Sequence, residues 1–258
     1  MRFASLGSGS EGNGLVIEAG RSRLLLDCGF STRDALRRLA RLGIEPASLS
    51  GIIVTHEHSD HAGGVFGLAR RYALGVWITH GTLSALRAED ASIGEEVAIS
   101  IIHGGTAFAL GDLEVLPFTV PHDAREPVQF AISDGASRMG VLTDAGCATP
   151  HMEQVLSGCD ALVLETNHDA QMLRDGDYPQ ALKARIAGRY GHLDNDASAA
   201  LLAAIDRSRL QHVVAAHLSR QNNTPARARA ALAAVLGCGD DWVAVASQED
   251  GFDWRAIA

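Results

Sequence analysis

Between residues 55 and 61 the chain reads Thr55-His56-Glu57-His58-Ser59-Asp60-His61, directly after the apolar run Gly51-Ile52-Ile53-Val54. Three imidazoles and two carboxylates therefore crowd into a single turn. In extended backbone residues i and i+2 face the same way, so His56 and His58 leave the run on one side, with Asp60 and His61 following on the turn. Neutral imidazole suits zinc and its first-row neighbours, and a mixed nitrogen and carboxylate set suits a hydrolytic centre rather than a structural one. A lone histidine after a strand is ordinarily just a turn residue. Four liganding side chains at this spacing go beyond that.

Three more positions set a liganding type directly after a predicted strand: His122 in Val120-Pro121-His122-Asp123, Asp144 in Leu142-Thr143-Asp144-Ala145-Gly146, and His217 in Ala215-Ala216-His217-Leu218-Ser219. Singly, each is weak. With the cluster they make five His and two Asp, enough for two divalent ions sharing a bridging ligand. Such a set accepts zinc, manganese or iron, so availability decides the metal. His80, His103, His151 and His212 show no partner pattern and read as structural or surface residues.

The elements that must position these ligands alternate. Short apolar runs ending at Leu6, Ala19 and Asp27 read as strands around the glycine-rich turn Gly7–Gly14, a hairpin whose tip is a candidate to line the site. That turn precedes a strand and lacks the Lys-Ser/Thr ending of a phosphate-binding loop. Ser31 or Thr32 caps a helix over Arg33–Leu42, with Arg37, Arg38 and Arg41 expected on a solvated face. Helices are also predicted over Val65–Tyr72, His151–Leu156, Pro179–Ala187, Asp196–Ile205 and Pro225–Leu236. Strands are predicted at Val76–Thr79, Ile99–Ile102, Thr106–Phe108, Leu113–Val120, Val128–Ser133, Met139–Thr143, Ala161–Leu164 and His212–Ala216. No linker interrupts the pattern, so residues 1–258 are read as one α/β (α+β) domain of two sheets faced by helices in four layers.

Composition bounds the partners. A hydrophobic fraction of 47% with 21% charged residues describes a globular chain, and no apolar run reaches membrane length. The first ten residues lack the apolar core of a secretory signal, and the four cysteines form no C-x-x-C pair, so a cytoplasmic enzyme with reduced thiols is expected. Net charge is −9 and Lys183 is the only lysine. This opposes broad adhesion to nucleic acid, while leaving room for an arginine-lined groove beside metal cations. Homo-oligomer formation is compatible with the sequence.

The order HEHSDH, then His122, Asp144 and His217, resembles the metallo-β-lactamase superfamily over almost the whole chain. The resemblance implies an αββα sandwich with the site at the sheet edge. It implies that His56, His58 and His122 hold one metal, Asp60, His61 and His217 the other, and that Asp144 bridges. Asp27 matches that family's early aspartate, which orients ligands from outside the metal. The stretches Ser8–Asn13, Glu165-Thr166-Asn167-His168-Asp169, Gly191-His192-Leu193-Asp194-Asn195 and His217–Asn223 resemble the YycJ/WalJ group of bacterial proteins. That resemblance implies a cytoplasmic DNA exonuclease. In one departure, Asp194 stands where the group usually has Ser, and an added carboxylate there is expected to repel a phosphate.

Two metals imply hydrolysis by a bridging hydroxide, because coordination lowers the pKa of water to about 7. Asp60 is a ligand that can also accept a hydrogen bond from this nucleophile. His192, by the resemblance, is the candidate to protonate the leaving group. Asn167, His168, Ser219, Asn222 and Asn223 are candidate substrate contacts, with Arg220 and Arg189 as sources of charge. The alternative substrates on the same fold are a cyclic phosphate ester, a thioester or a lactone. A serine hydrolase is set aside because no Gly-x-Ser-x-Gly elbow occurs.

Overall fold

Along Gly14–Ala19 the side chains of Leu15, Ile17 and Ala19 enter one hydrophobic core while Val16 enters another. Ala161 and Val163 do the same against Leu162 and Leu164. Strands buried on both faces must be apolar at every position, which is why these runs are continuous rather than alternating. The computed structural model describes all 258 residues.

In chain order, the first half comprises β1 (Arg2–Gly7), β2 (Gly14–Ala19), β3 (Ser22–Leu26), α1 (Thr32–Arg41), β4 (Gly51–Ile53), α2 (Ser59–Ala62), α3 (Val65–Tyr72), β5 (Val76–Thr79), α4 (His80–Glu89) and β6 (Ile99–Ile102). The second half comprises β7 (Phe108–Leu110), β8 (Leu113–Thr119), β9 (Val128–Ser133), β10 (Arg138–Leu142), α5 (Pro150–Leu156), β11 (Ala161–Glu165), α6 (Ala170–Asp175), α7 (Gln180–Ile186), α8 (Asn195–Ala204), β12 (His212–Ala216), α9 (Pro225–Leu236), β13 (Ala244–Val245) and β14 (Phe252–Ala256). One sheet has the order β14-β1-β2-β3-β4-β5-β6, the other β13-β12-β11-β10-β9-β8-β7. Phe3, Ile17, Phe130, Val141 and Val163 fill the space between them. Leu39, Leu68 and Val65 of α1 and α3 cover the outer face of the first sheet, and Met152, Leu201 and Leu232 of α5, α8 and α9 cover that of the second. Three cores separate four layers, as expected of the sequence.

Strand direction then assembles the site. β3, β4, β5 and β6 are parallel, as are β10, β11, β12 and β13. β9 is antiparallel to both β8 and β10, so β8 runs the same way as β10. The C-terminal ends of β3, β4, β8, β10, β11 and β12 therefore open on one edge, where side chains can converge. Leu142, Leu164 and Ala215 stand in register, so the residues that follow them emerge together.

Most predicted elements lie within a residue or two of those observed. β7 starts at Phe108 rather than Thr106, because the Thr106 amide closes the Gly104-Gly105 turn by donating to the His103 carbonyl at 3.1 Å. α2, α4, α6, β13 and β14 were unforeseen. α4 has few buried positions to make a periodic stripe, and β14 is an edge strand held by backbone pairing with β1. Arg38 corrects the expectation of a solvated arginine face: it is buried, donates to the Leu6 and Gln248 carbonyls, and lies over the Phe30 ring at 4.1 Å.

Candidate metal centre and active site

β4 ends at Ile53, and the chain turns through Thr55 into the short helix α2, whose N-cap is His58. The turn brings His56 Nε2 to 3.0 Å from His58 Nδ1, and His122, after β8, sets its Nε2 3.3 Å from the same atom. Tetrahedral ligands about 2.0–2.1 Å from a zinc ion stand roughly 3.3 Å apart, so three nitrogens at this spacing suit one ion. His122 Nδ1 donates to the Gly191 carbonyl at 3.1 Å. That fixes the proton on Nδ1 and leaves the Nε2 lone pair aimed into the cluster.

A second group lies alongside. His61 Nε2 is 3.5 Å and His217 Nε2 3.4 Å from Asp60 Oδ2. Asp144 sits between the groups, with Oδ2 2.8 Å from His61 Nε2 and Oδ1 4.0 Å from His122 Nε2. Asp144 Oδ2 is buried without a hydrogen bond of its own. A buried carboxylate oxygen lacking a donor, facing converging imidazole nitrogens, is what a divalent cation would satisfy. The donor set fits the metal the sequence implied. Glu57, although inside the cluster, does not join it, and its Oε1 accepts from the Arg125 amide at 2.6 Å.

Asp27, after β3, is fully buried and works behind the ligands. Its Oδ2 accepts the His61 Nδ1 proton at 2.7 Å and the Thr55 hydroxyl at 2.8 Å, while Oδ1 accepts from the Thr55 amide at 2.8 Å. This orients His61 with Nε2 toward Asp60 and Asp144. Asp27, Asp144 and His217 all have left-handed backbone, with φ of 59°, 60° and 55°. Each follows a strand that the turn must leave sharply. Such residues are uncommon outside glycine and persist where the surroundings over-determine them.

Charge is divided between the groups. Burial, helped by neighbouring imidazoles, holds His56 well below the usual histidine pKa and lowers His122. Burial also opposes charge on His61 and His217. There the carboxylates win: Asp144, Asp60 and Asp27 raise His61 well above its ordinary value, and Asp144, Asp60 and Glu165 push His217 up to about 9.

His192 lies across the same pocket. Its Nδ1 is 2.8 Å from Glu165 Oε1 and 3.2 Å from Asp144 Oδ1. Burial again works against the charged form, yet these two carboxylates hold the imidazolium well above the usual range. Glu165 was not anticipated. It ends β11, is fully buried, and also accepts from the Ala145 amide at 2.8 Å. Its place in Glu165-Thr166-Asn167-His168 after an apolar strand was the available signal, the same one that marked the ligands. Asn13 was missed too: its Nδ2 reaches Asp60 Oδ2 at 3.3 Å and lies 3.0 Å from His61 Nε2. The Gly7–Gly14 turn does line the site, with Ser8 Oγ accepting from the His217 amide at 2.9 Å and Ser10 facing the pocket.

The candidate substrate contacts lie around the turn after His217 and in a neighbouring cavity. Asn167 Nδ2 donates to the His217 carbonyl at 2.8 Å and so braces that histidine. Ser219 and Asn222 close the turn after His217, the serine hydroxyl accepting from the Asn222 amide at 3.2 Å. Asn223 ties that turn to the Thr166 carbonyl and to Asn195. Arg220 is paired with Glu11 and Glu249, and Arg189 lies outside the metal pocket. His168 is buried and borders a neighbouring cavity with Asp194. Asp194 itself caps α8, accepting from the Ala197 amide at 2.7 Å. Ser and Asp are near-equivalent N-caps, so Asp194 serves the helix and does not line the pocket of the His/Asp clusters.

The metal pocket holds about 340 Å³. A larger groove of about 580 Å³, lined by Leu210, Val235 and Trp242, lies toward the opposite end of β12 and carries no ligand cluster.

Fold and site together define a metal-dependent hydrolase. The sequence matches the beta-lactamase superfamily domain over residues 22–218, and the chain belongs to that family. Within it the chain is YycJ/WalJ-like. It is 38% identical to exodeoxyribonuclease YycJ of Bacillus anthracis, over 92% of this chain and 89% of the relative. It is 33% identical to exodeoxyribonuclease WalJ of Streptococcus pneumoniae serotype 2, over 86% and 83%. Among solved structures, Zn(2+)-bound PqqB from Methylobacterium extorquens shares the fold, with a TM-score of 0.75 at 20% identity over the full length of both chains. The family and the His/Asp clusters establish divalent-metal binding.

Proposed function

We propose that the protein is a dinuclear phosphodiesterase that degrades DNA from an end as an exonuclease. The observation that carries this reading is the pair of ligand groups, His56/His58/His122 and Asp60/His61/His217, meeting at Asp144. These residues would hold two divalent ions, zinc or manganese, whose Lewis acidity would serve a phosphoryl oxygen and lower the pKa of a coordinated water to about 7. Relatives named as exodeoxyribonucleases support DNA as the substrate.

The residues then take distinct parts. Asp60, partly exposed in the pocket, accepts a hydrogen bond from the attacking water and aligns it. His192, with Nδ1 held by Glu165 at 2.8 Å, offers its outer nitrogen to the departing oxygen. Asp27, Asn13 and Asn167 hold the ligands in place. No helix is long and apolar enough to cross a membrane, and all four cysteines are unpaired, which suits a reducing cytoplasm.

The test uses purified protein with Zn²⁺ or Mn²⁺ against end-labelled DNA, bis-p-nitrophenyl phosphate, a thioester and nitrocefin. Release of mononucleotides from a DNA end is expected. Turnover of the thioester alone would overturn the reading.

A further inference from the structure

Thirteen residues line the metal pocket, and all but three are glycine, polar or charged. The exceptions are Tyr178, Leu182 and Ile186, spaced four apart along α7 and the residues leading into it. Four-residue spacing puts Leu182 and Ile186 on one face of the helix, above one another. None of the three belongs to any of the hydrophobic cores, and α7 has no buried residue at all. An apolar stripe normally exists to seat its helix. This one faces the metal pocket instead.

The other face of α7 is spent differently. Gln180, Lys183, Ala184 and Ala187 border the separate cavity of about 380 Å³ that contains His168 and Asp194. α7 thus stands as a partition with space on both sides. It is held by polar bonds: Lys183 Nζ to the Arg174 carbonyl at 2.7 Å, Arg185 Nε to Asp123 Oδ2 at 2.6 Å, and the His192 amide to the Ile186 carbonyl at 2.9 Å. A Cβ on Gly191 would fall 2.1 Å from the Ile186 carbonyl oxygen, so the approach that joins α7 to the His192 turn requires glycine. The apolar wall and the proposed acid are therefore parts of one rigid turn.

We infer that Tyr178, Leu182 and Ile186 form a nucleoside-binding wall, which takes the base and sugar beside the scissile phosphate and positions that phosphate against His192. The inference rests on the nuclease reading and deepens it. The ligand side of the pocket is built from charge and can grip only the phosphate. The apolar side accepts a planar base, Tyr178 by stacking and the two aliphatic side chains by contact with the sugar. Stacking on an aromatic ring tolerates any base, which suits an enzyme that digests a strand without regard to sequence.

The experiment compares wild type with Tyr178→Ala, Tyr178→Phe and Leu182→Ala, all metal-loaded. It measures kcat and KM on a single-stranded oligodeoxynucleotide and on methyl p-nitrophenyl phosphate, which has no nucleoside. Affinity for a phosphorothioate-capped oligodeoxynucleotide is read by fluorescence anisotropy. For Tyr178→Ala, KM and Kd on DNA are expected to rise roughly ten-fold, as for one lost base stack, with a far smaller change on the small ester. Phenylalanine at the same position restores both, because the ring rather than the hydroxyl does the binding. Leu182→Ala should weaken DNA binding in the same direction. If wild type cleaves DNA and Tyr178→Ala leaves KM and Kd unaltered, the wall is disproved while the nuclease reading stands. If wild type does not cleave DNA, both fall together.

Discussion

Glu165 Oε1 lies 2.8 Å from His192 Nδ1, joining the end of β11 to the turn that follows α7. The contact gives His192 a full negative charge behind its ring and leaves the opposite nitrogen toward the pocket. A leaving-group acid must be protonated, and its raised pKa means the proton is lost only as pH climbs past that value. Activity should therefore fall on the alkaline side as His192 deprotonates. Replacing Glu165 with Gln removes the charge but keeps an oxygen for the Ala145 amide, so the alkaline limb should move to lower pH. His192→Ala should cost about 10²–10⁴-fold in kcat. A pH–kcat profile of the metal-saturated variants measures both, and an unmoved limb for Glu165→Gln would remove His192 from the acid role.

Metal loading should proceed unequally. His56 and His122 are held neutral by burial and need release no proton, whereas His61 and His217 are raised and must each lose one to bind. Below those raised values protons compete with the ion, so occupancy at Asp60/His61/His217 should drop more steeply as pH falls from 8 to 6 than at the group that contains His56 and His122. Titration calorimetry in buffers of different ionisation enthalpy counts the protons released. Equal proton release at both steps would contradict this assignment. At neutral pH elemental analysis should find two ions per chain in wild type and fewer in His58→Ala.

Asp27 belongs to none of the candidate ligand groups, yet its carboxylate sets the His61 tautomer at 2.7 Å. In Asp27→Asn an amide nitrogen can face the His61 Nδ1 proton, and the ring loses its anchor. Metal affinity should weaken by about 10–100-fold, the usual effect of removing such a partner. Competition against a chromogenic chelator reads this directly, and wild-type affinity in the variant would show that Thr55 and packing suffice.

Asp194 should behave as a cap and nothing more. Asp194→Ser is expected to keep stability and DNA turnover, whereas Asp194→Ala should cost about 0.5–2 kcal/mol in urea unfolding with kcat per folded molecule unchanged. A gain in DNA affinity from Asp194→Ser would restore the idea of a repelling carboxylate.

Much of the centre was legible because its ligands obey a local rule. His56, His122, Asp144 and His217 each follow an apolar strand, and all seven predicted ligands meet at one edge. For the candidate substrate residues that local rule says less. Ser219, Asn222 and Asn223 lie just past a ligand, but their polar groups are used by the turn that carries it. Arg38 misled for a related reason: its helix face is read from periodicity, which cannot know that the Leu6 carbonyl and the Phe30 ring wait behind it.

By itself, the order of residues determined the four-layer class and the seven candidate ligand positions, because burial on both strand faces and strand-end placement are written in runs of neighbouring residues. Only the tertiary structure decided that Glu165 stands behind His192, that Asn13 reaches Asp60, that Asp194 caps a helix and that α7 turns its apolar face to the metals. Each depends on which strand ends share an edge, a matter of direction and register between segments as far apart as Ser8 and His217. No local pattern encodes that pairing, since the contacts it creates are paid for by the whole of both sheets.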